Sequence, residues 1–213
     1  MKVAVWRTQN LWIVIIIAVA VLYPTVWPHE VGHSVAPYLY GCKKTFWQTD
    51  TSWFLLSSWG GKDIDDTCLQ RRGHAAAAWT AFGGVAVNLL LLSVLLLVLW
   101  RSHQKVASSW WFVTLFFWAL ANYAEAFSYL VLNTAWLKSD METLVESGIN
   151  RWIIFLVGLV LAIAMGWVLR PLAQKAAAML ATPNSSERLW RFRFVLYVVL
   201  VGVVMTAARV GLT

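Results

Sequence analysis

The stretch TQNLWIVIIIAVAVLYPTVWP, residues 8–28, runs 21 residues without a charge and leads straight into HEVGH, residues 29–33. A helix needs about 20 consecutive apolar residues to cross the hydrocarbon core of a bilayer, so residues 8–28 are expected to form a transmembrane span. No small-residue cleavage site follows the run, so it is expected to stay in the mature protein rather than be removed as a signal peptide. Further uncharged runs follow at 75–100, at 106–137 interrupted only by Glu125, at 152–169, and at 194–208. About five transmembrane helices are therefore predicted. The last two runs are short, and Arg170, Arg191, Arg193 and Arg209 at their ends can snorkel.

Composition agrees. Hydrophobic residues make up 60% of the 213-residue chain and charged residues 13%, against about 45–50% and about 25% in soluble domains. A core this small cannot hide that excess, which excludes a soluble globular protein. Ten of the 15 tryptophans, among them Trp12, Trp27, Trp100, Trp136, Trp152 and Trp167, lie near expected span ends, the pattern of an interfacial aromatic belt. The net charge of +7 comes from Lys and Arg between the apolar runs, where membrane proteins keep them. No basic tail or RNA-binding signature is present, so nucleic acid is not expected as a partner. The expected class is an all-α, multi-pass integral membrane protein, a single membrane domain over 1–213 with the lipid bilayer as its first partner. In a bacterium the inner membrane would be its place.

The polar segment between the first two spans, residues 41–74, holds both cysteines, Cys42 and Cys68. They can pair in an oxidising compartment and stay free in a reducing one, and the sequence leaves both open. The Thr- and aromatic-rich residues 45–56, followed by Gly60-Gly61, predict one or two short strands with a turn.

HEVGH carries the chemistry. On a helix, positions i and i+4 share a face, so His29 and His33 can reach one metal ion at about 2.0–2.1 Å. Glu30 falls to the side, where it can take a proton from a water activated by the metal. Chance occurrence is the alternative, but ionisable residues next to an apolar span cost roughly 2.5–3.5 kcal/mol each at mid-helix and are functional by default. A catalytic zinc usually takes three protein ligands. Span two leaves the motif side and span three returns to it, so Asp140, just past the third run, is expected level with the histidines. Glu125 is the second choice: 15 residues earlier, it would lie roughly 22 Å away along a straight helix. Its alternative role is a buried polar pair with Asn122. His103 falls on the opposite side, whereas His74 and Asp63, Asp65 and Asp66 are on the right side but in a loop.

HEVGH, the strand-like loop, and AFGGVAVN at 81–88 opening the next helix together resemble the site-2 protease family of intramembrane zinc metallopeptidases. In the second element Gly84 and Asn88 match, and Val85 replaces a proline. In the third, Asn133 precedes Asp140 by seven residues rather than eight, Trp136 stands at the proline and Met141 at the glycine. The resemblance covers roughly 10–145 and implies a three-helix core, with 146–213 adding two helices. It implies Zn2+ as cofactor and a membrane-protein substrate, cleaved within or beside the membrane. It also implies a substrate-binding role for Asn88 and Gly84, Asn88 holding the peptide backbone or polarising its carbonyl. The competing role for Asn88 is an interhelical hydrogen bond in a glycine-lined crossing. An extended substrate would pair with the strand-like residues 47–56.

Two other classes compete with the peptidase. A non-catalytic relative would serve as a subunit or scaffold of a membrane complex, with membrane-protein partners. A small transporter would use Glu125 and the histidines as an ion path, although no inverted repeat is present.

Orientation is balanced. Lys43, Lys44, Lys62, Arg71, Arg72, Lys138 and Arg151 lie on the motif side, seven residues. Lys2, Arg7, Arg101, Lys105, Arg170, Lys175, Arg188, Arg191 and Arg193, nine residues, lie opposite. Nine against seven, or eight with Arg209 at the motif-side end of the last run, mildly favours a motif facing away from the cytoplasm, whereas the resemblance implies a motif near the cytoplasmic face.

Overall fold

The computed structural model describes residues 8–49, 63–102 and 110–180. The chain forms α1 (Thr8–Leu39), a short α2 (Asp66–Arg72), α3 (His74–Ser102), α4 (Trp110–Phe127) and a π-helical turn (Ser128–Asn133). A last helical turn α5 (Thr134–Trp136), a short α6 (Asp140–Glu146) and α7 (Arg151–Leu180) complete it. Four helical stretches are long and apolar enough to cross a membrane: Ile13–Leu39, His74–Ser102, Trp110–Trp136 and Arg151–Met179. They mark a membrane protein. The fifth expected span, 194–208, lies outside the described residues. No strand forms among the described residues: 45–49 are bends and coil, and the rest of the strand-like segment lies outside them. Strand pairing with a substrate therefore has no support here.

The first helix does not stop at the expected boundary. It continues through HEVGH to Leu39 and contains Pro24, Pro28 and Pro37. Each proline removes one backbone donor. Pro28 leaves the Pro24 carbonyl without its helical partner, and Trp118 of α4 donates its indole N–H to that oxygen at 3.3 Å. A defect in one helix thus becomes a tie to another. One turn on, Asn122 donates from Nδ2 to the Trp118 carbonyl at 2.9 Å and to Thr25 Oγ1 at 3.4 Å. Asn122 therefore ties α4 to α1.

The core has three parts. A cluster including Val14, Leu92, Leu99, Phe112, Phe116 and Leu172 joins α1, α3, α4 and α7 on the side away from the motif. A second, with Ala81, Val85, Tyr129, Leu130, Met141, Leu144 and Ile154, seats α6 against α3 and the π-helical turn. A third is a small cap on the motif side: Cys42, Leu69 and Ala76 pack together, and Cys42 is disulfide-bonded to Cys68. Trp100, Trp111, Trp136, Trp152 and Trp167 are all exposed. These rings stand on helix surfaces near the expected membrane–water boundaries.

Candidate metal centre

The site begins with a backbone contact. Gly32 in HEVGH faces Gly83 of α3, and a Cβ on either would overlap the other's carbonyl oxygen. Only glycine at both positions allows α1 and α3 this close, as at small-residue crossings in membranes. Because Gly32 lies between them in sequence, His29 and His33 are held hard against α3. The next residue, Gly84, completes the cradle. A Cβ there would stand 2.5 Å from His33 Nε2 and 2.6 Å from His29 Nε2. The missing side chain leaves room in front of both nitrogens.

The two Nε2 atoms lie 3.0 Å apart. Two imidazoles on one tetrahedral zinc at about 2.05 Å would be about 3.3 Å apart, so the pair is close to ligating geometry. His33 Nδ1 is 2.7 Å from the Thr80 carbonyl oxygen. A carbonyl only accepts, so Nδ1 carries a proton, which leaves Nε2 as the nitrogen that would face a metal. A metal-ligating histidine is usually fixed through its other nitrogen in this way. His29 is fully buried, and the Tyr129 ring lies 4.7 Å from it, tilted by 39°.

The carboxylates arrive from two directions. Glu30 is buried, and its oxygen lies within 4.8 Å of the ligand nitrogens of His29 and His33. Asp140, first residue of α6, places Oδ2 3.3 Å from His33 Nε2. The chain reaches it through two residues with positive φ, Leu137 at 50° in the left-handed region and Ser139 at 58°. Met141 and Leu144 then anchor α6 in the second core cluster. Met141 is fully buried and packs the helix that delivers Asp140.

Glu125 is buried on α4, one turn before Tyr129. Neither it nor Asp140 belongs to the cluster of His29, Glu30 and His33, whose ligand atoms all lie within 4.8 Å of one another; Asp140 is in contact with His33. Asn88 is fully buried one turn past Gly84, and neither its Nδ2 nor its Oδ1 has a hydrogen-bond partner among the described residues. The interhelical hydrogen bond, one of the two roles weighed for Asn88, is not made among the described residues. His74 and Asp63, Asp65 and Asp66 are exposed around α2. Asp65 instead caps α2, accepting from the Cys68 N–H at 2.9 Å. His103 lies outside the described residues.

Several contributors carry no sequence signal of their own. Buried Lys43 donates from Nζ to Ser34 Oγ at 2.9 Å and to the Gln48 carbonyl at 2.6 Å. Ser34 in turn donates to the Glu30 carbonyl at 3.3 Å. This chain links the cap to the motif helix.

Compared with models of known families, with curated proteins and with solved structures, the chain finds no match.

The ligand assignment separates by experiment. Asp140→Ala should lower zinc retention on the order of 10-fold or more, and Glu125→Ala should leave it near wild type. Zinc per chain, measured by mass spectrometry of the purified variants, is the check. The reverse pattern would make Glu125 the ligand.

Proposed function

We propose that the protein is an intramembrane zinc metalloendopeptidase of the site-2 protease type, cleaving peptide bonds within or beside the membrane. The observation that carries this reading is the cradle in front of His29 Nε2 and His33 Nε2, which a Cβ at residue 84 would fill. Imidazole pairs with a nearby carboxylate suit zinc. His29, His33 and Asp140 would hold the ion. When bound, it would supply Lewis acidity that polarises a peptide carbonyl and makes water a nucleophile near neutral pH.

The chain's own residues do the rest. Glu30 takes the proton from the attacking water and returns it to the leaving amine. Thr80 holds the His33 tautomer. Asn88 offers an unpartnered amide one turn below the cradle, free to bond a substrate backbone that has left its helix. A buried polar group without a partner costs about 1–3 kcal/mol, which a bound peptide would recover. Gly84 keeps that approach open.

Zinc content tests the reading. Purified wild type should hold about one zinc per chain, and His29→Ala or His33→Ala should hold almost none. A metal-free wild type, prepared without chelator, would overturn it. A zinc-loaded protein without cleavage activity would instead support the scaffold reading.

A further inference from the structure

The disulfide and the depth of the metal cradle carry one step more. Cys42 lies three residues past the end of α1, and Cys68 lies on α2. Their bond closes the cap on the motif side, with Leu69 and Ala76 packed around Cys42. The Asp65 N–H donates to the Cys42 carbonyl at 2.9 Å, so backbone as well as sulfur holds the cap together. Disulfides persist in oxidising compartments and are rare where glutathione and thioredoxin keep thiols reduced. The cradle lies close to this cap. His33 is six residues before the end of α1, about 9 Å at 1.5 Å per residue. Thr80, which fixes His33, is one turn from Ala76 of the cap cluster. Asp140 leaves about a quarter of its side chain exposed beside His33, on the same end of the bundle. On the far end, α3 carries Arg101 in its last turn and α7 carries Arg170 and Lys175 in its second half; over the whole sequence the expected balance is nine Lys and Arg on that side against seven or eight on the motif side, a mild excess. Cationic residues gather on the cytoplasmic side of membrane helices.

We propose that the metal cradle opens to the non-cytoplasmic, oxidising side of the membrane, and that its substrates are the non-cytoplasmic ends of membrane-anchored segments. This is opposite to the sidedness that the family resemblance implies. The substrate class rests on the peptidase reading; the sidedness does not. With the cradle about 9 Å below the helix end, a substrate helix needs to unwind only its outermost turns to present a peptide bond. Water reaches the site over Asp140 rather than through the bundle.

Sidedness is read with a membrane-impermeant maleimide on intact cells, using single added cysteines in the otherwise native chain. Glu146→Cys, exposed on α6, should label in intact cells. Arg101→Cys, exposed at the far end of α3, should label only after lysis. Cys42 and Cys68 should resist alkylation until a reductant is added. Glu146→Cys protected in intact cells, or Cys42 and Cys68 alkylated without reductant, overturns the proposal. Metal exchange gives the second arm. An impermeant chelator should strip zinc from right-side-out vesicles at least ten-fold faster than from inside-out ones, and the opposite order overturns it. Correct labelling with no zinc in either vesicle type would defeat the peptidase reading and the substrate class, while leaving the sidedness standing.

Discussion

Glu30→Gln should keep its zinc and lose peptide cleavage. Glutamine matches glutamate in length and shape but cannot take a proton from water. General-base catalysis supplies about 10²–10⁴ in rate, so cleavage should fall by on the order of 100-fold or more. Glu30 is buried beside His29 and His33, where bulk water is poorly placed to replace it as a base. The check pairs two measurements on one preparation: zinc per chain, and cleavage of a membrane-embedded reporter. Joint loss of zinc and activity would make Glu30 a ligand rather than a base, which its place within 4.8 Å of both imidazole nitrogens also permits.

Gly84→Ala should weaken zinc binding on the order of 100-fold without removing any ligand. The new methyl carbon would sit 2.5–2.6 Å from the two nitrogens that face the gap. Neither ring can retreat far, because His33 is tied to the Thr80 carbonyl and His29 lies against Tyr129. Small-to-large changes at such a site force shifts that cost about 1–3 kcal/mol, and here the shift falls on the ligand atoms. Affinity should drop on the order of 100-fold, as when the supports of a metal ligand are lost. Thermal unfolding with and without added zinc reads this directly, because only a protein that binds the ion is stabilised by it. Wild type and Ser93→Ala, an exposed change on the same helix, should melt higher with zinc, and Gly84→Ala should not. A zinc-dependent rise in Gly84→Ala equal to wild type would remove the cradle from the site.

Much of this arrangement was legible because helices repeat simply. The four-residue spacing of His29 and His33 put them on one face, and counting spans brought Asp140 back to the motif side, where Oδ2 reaches His33. The helix boundaries were less legible. Proline at residue 28 suits the first turn of a new helix, yet α1 runs through it, and Trp118, 94 residues along the chain from Pro24, takes up the Pro24 carbonyl. Long-range compensation of that kind leaves no local trace. The seventh helix likewise continues past Arg170 to Leu180, since a helix need not end where the apolar run does. The Thr80 carbonyl is backbone and has no residue signature. Tyr129 comes under His29 inside a π-helical turn, where Thr134 Oγ1 donates to the Tyr129 carbonyl five residues back at 3.1 Å. The cysteine pairing was open until the fold put their Cα atoms 5.5 Å apart.

The contact between Gly32 and Gly83 has a mechanical meaning. Where backbone rests on backbone there is nothing soft to squeeze, and side-chain motion cannot change the spacing. The wall made by α1 and α3 therefore behaves as a fixed jaw, and the two imidazoles mounted on it keep their separation whatever enters the cleft. The opposing jaw is built differently: a π-helical turn, two positive-φ residues at Leu137 and Ser139, and a seven-residue helix seated by Met141 and Leu144. Were a peptide to bind as proposed, room for it would come from that side, and the residue that would travel with it is Asp140.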